Sequence, residues 1–77
     1  DASQNYVLIG ENAALNYTAP ANGFVSFVSD TNSPVVRTIS INGAPVFQIT
    51  SGVIPVKQGQ VITSNDTVRA AHFTYSV

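Results

Sequence analysis

The chain holds few side chains that could carry out acid–base or nucleophilic chemistry. Its single histidine is His72, and its carboxylates are Asp1, Glu11, Asp30 and Asp66. A glycosidase would need two carboxylates that face each other across a cleft, whereas these four fall in predicted turns or in the amino-terminal tail. The serines are numerous but follow no nucleophile-elbow pattern. The sequence therefore predicts a protein without catalytic activity.

Metal and cofactor chemistry is equally sparse in the sequence. Cysteine is absent, so a thiolate metal site is excluded. One histidine per chain can build a metal site only through symmetry. His72 thus has three interpretations: an ordinary strand histidine, a ligand contact, or a residue that meets its symmetry copies and binds an ion. The five glycines are dispersed in turns and form no phosphate-cradling cluster. We expect no metal site and no cofactor in a single chain.

Binding chemistry is better represented, in two short polar segments. The candidate ligand-binding residues are Asp30, Thr31, Asn32, Ser33, Ser64, Asn65 and Asp66. Their amides, hydroxyls and carboxylates match sugar hydroxyls in a shallow, wet site. The alternative is that both segments are solvated turns. Tyr6, Tyr17 and Tyr75 could stack on sugar rings, or else pack in the core or at its rim.

Length and composition predict one small domain, residues 1–77, that associates with copies of itself. A core of this size is marginal without a disulfide. Charged residues make up 9% of the chain, against about 25% in ordinary soluble domains, so charge does little to keep copies apart. The net charge is −1, and Arg37, Lys57 and Arg69 are the basic residues. Three basic residues are too few to predict a surface that binds the phosphate backbone of a nucleic acid.

The start of the chain predicts an excised domain or a cleavage product, with a longer polypeptide as its natural context. The sequence starts at Asp1, and it shows neither a signal peptide nor a long apolar run that would insert into a membrane. Residues 1–5 are polar, which predicts a linker or a frayed end. The absence of cysteine suits a cytosolic or bacteriophage protein better than a small secreted eukaryotic module.

Short strands separated by turn signals cover the sequence, and no helical period is sustained. The predicted strands are residues 6–9, 13–18, 24–29, 35–42, 46–50, 53–56, 61–63 and 67–77. The predicted turns are residues 11–12, 20–23, 30–34, 42–43, 51–52, 57–60 and 64–66. Seven or eight short strands at this spacing predict an all-β fold, a small antiparallel β-sandwich or jelly-roll.

Alternation within the strands predicts the core. Each predicted core residue lies in an alternating strand beside another large apolar residue: Phe27, Phe47, Phe73 and Tyr75. The continuous apolar run at residues 6–9 predicts burial on both faces, within the sandwich or against another chain.

Three residues have strand positions that need a special explanation. Pro45 and Pro55 cannot donate to a strand ladder, which predicts edge positions, a bulge for Pro55, or a longer loop around Pro45. Arg37 falls on the apolar side of its strand. It either lies near the strand end with its charged group turned outward, or pairs with a carboxylate across an interface.

Three motifs occur in a fixed order along the chain. They are Tyr-Thr-Ala-Pro-Ala-Asn-Gly-Phe-Val at residues 17–25, Ile-Asn-Gly at residues 41–43, and Pro-Val-Lys-Gln-Gly-Gln-Val-Ile at residues 55–62. The set resembles small β-sandwich domains of bacteriophage tail fibres and tailspikes, which commonly lie near the carboxyl end of those proteins. A looser similarity exists to the trimeric jelly-roll heads of the complement and tumour-necrosis-factor type, which are longer than this chain.

The resemblance implies a homotrimeric domain, exposed on a virion, that binds a bacterial surface receptor, often a carbohydrate. Such a domain is assembled in the bacterial cytoplasm. Two alternatives stay open: a structural domain that trimerises or closes the fibre, and a carbohydrate-binding module of a secreted or cell-surface protein. No binding residue is transferred from the family, because the matching motif positions are structural.

Overall fold

The computed structural model describes residues 6–76, which form six β-strands. The strands are β1 (Tyr6–Thr18), β2 (Gly23–Val28), β3 (Arg37–Ile41), β4 (Ala44–Ile49), β5 (Ser51–Val56) and β6 (Val61–Tyr75). All strand pairs are antiparallel. The all-β class is therefore confirmed. No helix among residues 6–76 could cross a membrane. The prediction for residues 1–5, and the final residue of the last predicted strand, lie outside the described residues.

Strand β6 organises the sheet. One edge of β6 pairs with β1, from Tyr6 opposite Thr74 to Thr18 opposite Val61. The other edge is shared, because β2 pairs with the carboxyl-terminal half of β6 and β3 pairs near its amino-terminal end. Strand β5 continues the sheet beyond β2, and β4 continues it beyond β3. The two pairs β3–β4 and β2–β5 thus extend from the same side of β6.

This sheet curls into a half-barrel around the core. The buried apolar residues are Leu15, Ala19, Val25, Phe27, Ile39, Ile54, Val56, Ile62, Val68, Ala71 and Phe73. Apart from Ala19, which follows β1, they come from every strand except β4. The predictions for Phe27 and Phe73 are confirmed, and the ring of Tyr75 packs edge-on against Phe73 at a centroid distance of 4.9 Å. The finer prediction of a β-sandwich or jelly-roll stays a prediction.

Phe47 is wrong as a core residue, since 42% of it is exposed. Its inward direction was predicted correctly, because Phe47 lies opposite Ile39, which is fully buried. Strand β4, however, is an edge strand. The inner face of β4 opens on the gap between β4 and β5, so that no strand covers Phe47 there.

The predicted turn at residues 11–12 is wrong, because β1 runs through it without a break. Asn12 adopts a left-handed backbone with φ 52°. The register also shifts between Leu8 and Gly10. Asparagine tolerates this conformation better than most residues. Glu11 and Asn12 therefore continue the strand instead of reversing the chain, and the pairing with β6 has the same register before and after Asn12.

The predicted turn at residues 64–66 is likewise a bulge inside β6. Ala14 lies opposite Thr67 and Asn16 lies opposite Thr63, so Leu15 alone faces the three residues 64–66. The side chain of Ser64 stabilises this bulge: its Oγ accepts a hydrogen bond from the Leu15 amide at 2.7 Å and donates to the Asp66 carbonyl at 2.7 Å. Two merged pairs of predicted strands explain why six strands form rather than seven or eight.

The other turns differ in outcome. Asn42 and Gly43 have φ 51° and 85°, which confirms the two-residue hairpin turn with both residues left-handed. Pro45 follows directly in the edge strand β4, so its edge position is confirmed and the longer loop is wrong. Pro55 lies in another edge strand, β5, as predicted. The predicted turn at residues 51–52 is wrong, because the chain turns at Thr50 alone.

The apolar run at residues 6–9 is not covered within the chain. Tyr6 and Leu8 are 55% and 53% exposed, Val7 is also exposed, and Ile9 is half-buried. Burial inside a single-chain sandwich is therefore wrong for this run. Coverage by another chain stays a prediction.

Candidate functional site

The loop at residues 30–33 is a compact turn organised by Asp30. The Oδ1 atom of Asp30 accepts hydrogen bonds from the backbone amides of Asn32 at 2.8 Å and Ser33 at 3.2 Å. These bonds hold the pKa of the Asp30 carboxyl below its usual value, and the positive charges of Arg69 and Arg37 lower it further. The carboxylate is thus ionised at neutral pH while it fixes the loop backbone.

Arg37, four residues after this loop, bonds to β6 next to its bulge. Its Nε donates to the carbonyl of Thr67 at 2.7 Å, directly after the bulge. The amide of Thr38 donates to Oδ1 of Asn65 at 2.9 Å. Both predicted ligand-binding segments therefore lie at one end of the half-barrel. We call the loop 30–33, Arg37, the bulge 64–66 and Arg69 the polar end.

The position of Arg37 supports one of its two interpretations. It is the first residue of β3, and its guanidinium bonds to the backbone carbonyls of Val36 and Thr67. This is the strand-end arrangement with the charged group turned outward. Pairing with a carboxylate of another chain stays a prediction.

The predicted ligand-binding residues divide into those that support the fold and those that offer free atoms. Ser64 is half-buried, and its hydroxyl is committed to the bulge. Asn65 and Asp66 are exposed, and each uses Oδ1 for a backbone amide. The Asn65 amide nitrogen and the second Asp66 oxygen remain for a ligand. Thr31, Asn32 and Ser33 are exposed at the tip of the loop.

Sequence reasoning did not include the two arginines in this site. Arg69 reaches across the strand pair and donates to Oδ1 of Asn12 at 3.3 Å. Arg37 is distant from residues 64–66 in sequence and is brought there by the pairing of β3 with β6. No local motif signals these positions, because the pairing register alone creates them. The polar end therefore combines guanidinium, carboxylate, amide and hydroxyl groups.

A second surface is the outer face of the strands β1, β6, β2 and β5. The strand register places these residues on the side of the sheet away from the core: Tyr6, Leu8, Glu11, Phe24, Ser26, Val28, Ser51, Val53, Pro55, Ala70, His72 and Thr74. Glu11 is the one charged residue of this set, and it lies opposite Ala70. Val53 is 65% exposed, and Phe24 is exposed as well. In a single chain, the apolar side chains of the outer face are therefore exposed to solvent.

The Tyr6 ring lies flat on the His72 imidazole in this outer face. Their centroids are 4.3 Å apart and their planes differ by 9°. A shallow groove of about 290 Å³ runs beside them, lined also by Ser26 and Ala70. His72 is a half-buried strand residue. Its contact with a ligand or with symmetry copies stays a prediction.

The other two tyrosines pack at the rim of the core. Tyr17 and Tyr75 both contact the Phe73 ring, with centroid distances of 5.5 and 4.9 Å. Burial raises the pKa of the Tyr17 phenol, and the neighbouring Tyr75 raises it further. Tyr6 is therefore the tyrosine whose position leaves a ring available for stacking on a sugar.

Among residues 6–76, no three histidine, cysteine, aspartate or glutamate side chains gather in a group that could hold a metal ion. Comparisons with protein-family models, with curated proteins and with solved structures found no match. The similarity to tail-fibre domains therefore rests on the three sequence motifs quoted above.

Proposed function

We propose that this chain is a non-catalytic receptor-binding domain of a tail fibre or tailspike, exposed on a virion, and that its polar end binds a glycan of a bacterial surface. The bond from Arg37 to Thr67 carries the proposal. It anchors the start of β3, four residues after the loop 30–33, to the residue directly after the bulge 64–66, which supports one binding surface made of the two polar segments.

The chemistry of the polar end fits a sugar better than a nucleic acid or a purely apolar ligand. Sugar hydroxyls both donate and accept, and they bond well to carboxylates, amides and guanidinium groups. The two arginines are balanced by Asp30 and Asp66, so the surface carries no strong net charge. The loop backbone is fixed by the Asp30 bonds, which reduces the ordering that binding would require.

An open surface of this kind binds one sugar weakly. A homotrimer would present three polar ends to a cell surface that repeats its glycans. Linked sites of this kind can raise the overall affinity by about 10² to 10⁴ without new contacts. The proposed trimer therefore suits the proposed ligand.

The experiment is a glycan array, followed by titration of the 77-residue chain with any glycan found. Three variants keep the structural bonds: Asn32→Ala, Asn65→Asp and Asp66→Asn. The latter two retain the Oδ1 acceptor that holds a backbone amide. We expect each to weaken binding about tenfold with an unchanged melting curve. Gln58→Ala, at an exposed position in the turn after β5, is the control. Unchanged binding in all three variants would refute the polar end as the site.

A second candidate function is structural, a domain that trimerises or closes the fibre. The observation that favours it is the outer face, where uncharged apolar side chains are exposed. An exposed apolar patch of a few hundred Å² on a monomer often marks an interaction site. Packing against another copy would supply the second layer of a β-sandwich. This function and glycan binding are compatible, because they use different surfaces.

A further inference from the structure

The half-barrel is open between β4 and β5, where an apolar cleft of about 410 Å³ reaches the core. One wall is formed by Ile41, Val46 and Phe47, and the other by Ile54, Pro55 and Val56. Lys57 and Gln60 complete the lining. A cleft of this size lies within the range of about 300 to 1,000 Å³ that is typical of sites for small molecules.

The cleft is continuous with the hydrophobic core. Ile54 and Val56 line it and are also buried core residues, whereas Phe47 and Val46 leave 42% and 47% of their surface exposed. An apolar occupant would remove these two side chains from water. Burial of apolar surface contributes about 25 cal/mol per Å², so the cleft favours a hydrocarbon or aromatic body.

A β-strand of another protein fits this gap poorly. The edge strands that border it, β4 and β5, are six residues long. Each carries a proline, Pro45 in β4 and Pro55 in β5. Proline in an edge strand removes an amide donor that an added strand would need. The occupant is therefore a small molecule rather than a peptide strand.

The charge at the cleft indicates the head group of the ligand. Lys57 is the charged residue of the lining, and it directly follows β5. Asp30 is too far from Lys57 to neutralise its charge, because it lies beyond the other end of β2, about 20 Å away along a six-residue strand. Glu11 and Asp66 also lie toward that end of the sheet. The Oε1 of Gln60 accepts from the Lys57 amide at 2.8 Å, which leaves its amide nitrogen as a second donor.

From these observations we propose that the cleft between β4 and β5 binds an amphiphile with an aliphatic body and an anionic head, such as a medium-chain carboxylate. The hydrocarbon lies against Phe47, Val46 and Ile54. The carboxylate is held by the Lys57 ammonium group. This site is separate from the polar end and does not depend on glycan binding.

The test uses three probes that share one hydrocarbon chain: decanoate, decanol and decyltrimethylammonium, each below its micelle-forming concentration. Backbone amide chemical shifts of the 77-residue chain are followed during each titration. We expect saturable shifts at the cleft walls, and about tenfold tighter binding of decanoate than of decyltrimethylammonium.

Two matched variants isolate the charge. Lys57→Met keeps the length of the side chain and removes its charge, so the preference for decanoate should disappear while decanol binding stays unchanged. Arg69→Met makes the same change in net charge far from the cleft and should keep the preference. Phe47→Ser should weaken the binding of all three probes.

Several results would overturn the proposal. These are equal affinity for the anionic and cationic probes, a preference that persists in Lys57→Met, absence of saturable shifts, or shifts centred on Tyr6 and Val53 of the outer face. Because Lys57 is exposed, its variant should fold normally, and a melting curve confirms that the loss is one of binding.

Discussion

Arg37 and Thr67 are joined by a 2.7 Å hydrogen bond from the guanidinium Nε to the backbone carbonyl. This bond connects the start of β3 to the end of the bulge in β6. A charged donor thereby satisfies a carbonyl at a point where the sheet ladder is irregular. The bond fixes the start of β3 against β6 next to the bulge 64–66.

We expect Arg37→Ala to lower the free energy of unfolding by about 1 kcal/mol, since the bond is charge-assisted but solvent-exposed. Glycan binding should fall as well, because Arg37 is part of the polar end and its bond anchors the start of β3 to β6. Urea denaturation gives the stability, with Lys57→Ala at the opposite end of the sheet as the control. Equal stability of the two variants would show that the bond does not support the site.

Two phenylalanines on inward-facing strand positions should differ strongly in their contribution to stability. Phe73 is fully buried, whereas Phe47 is 42% exposed at the cleft. We expect Phe73→Ala to cost about 3 to 5 kcal/mol and Phe47→Ala about 1 to 2 kcal/mol. Thermal or urea unfolding of both variants measures the difference. Similar losses would mean that Phe47 is covered in solution.

The case of Phe47 shows what a strand pattern can predict. Alternation along the strand indicated correctly which face Phe47 lies on. Burial depends in addition on what packs against that face, and this is set by the curl of the whole sheet. Val25 and Phe27 of β2 were predicted on one face and are buried there, because β2 lies between two strands.

Turn chemistry predicted the chain reversals at residues 42–43 and 57–60 correctly, but those at 11–12 and 64–66 wrongly. Asn42 and Gly43 connect two neighbouring strands that pair directly, so the local preference decides the structure. The same kinds of residue at 11–12 continue β1, with Asn12 left-handed, and those at 64–66 form a bulge in β6. At both positions the long ladder between β1 and β6 continues, so the polar residues stay within the strands instead of reversing the chain. Residue types alone cannot distinguish these outcomes.

The candidate site was predictable from the sequence in part: its polar segments were predicted, but its arginines were not. The residue types at 30–33 and 64–66 indicated polar binding segments, and both segments are exposed at one end of the sheet apart from Asp30 and Ser64, which are half-buried. The two arginines and their distances follow from the pairing of strands that are remote in sequence. Their place in the site required the structure.

Gly23 lies where a side chain has no room. A Cβ atom at this position would lie 2.7 Å from Cζ of Phe73 and would also meet the carbonyl oxygen of Thr74. We expect Gly23→Ala to cost about 3 kcal/mol, because both neighbours are parts of a packed strand pair.

Gly10→Ala is the matched control for this prediction. A Cβ atom there has Ala71 as its nearest neighbour at 4.0 Å, an ordinary contact distance. Its effect should be neutral, or stabilising by less than about 1 kcal/mol. Urea denaturation of both variants provides the comparison. The prediction fails if Gly23→Ala unfolds at the same denaturant concentration as the parent chain.

The carboxyl of Asp30 should make stability depend on acid pH. Its pKa in the folded chain is lowered, first by the hydrogen bond from the Asn32 amide. A lowered folded pKa contributes stability that is present above the unfolded value of about 4 and is lost as pH falls through the folded pKa. Asp30→Asn keeps an acceptor oxygen but cannot ionise. Urea midpoints should therefore differ by a constant amount from pH 7 to about pH 5 and converge below about pH 4. A gap that persists at low pH would contradict this assignment.

The outer face should control self-association without controlling the fold. Val53 is 65% exposed in the single chain, so Val53→Lys places a charge on the outer face at little cost to the monomer. If three copies pack through this face, each new charge must be desolvated and lies near its symmetry copies, which disfavours assembly. We expect sedimentation at micromolar concentration to show trimers for the parent chain and monomers for Val53→Lys, with similar melting of the monomeric unit. Val36→Lys adds the same charge at a residue that is 55% exposed and lies outside the strands. It should remain trimeric. A parent chain that sediments as a stable monomer would refute the trimer, and a trimeric Val53→Lys would place the interface on a different surface.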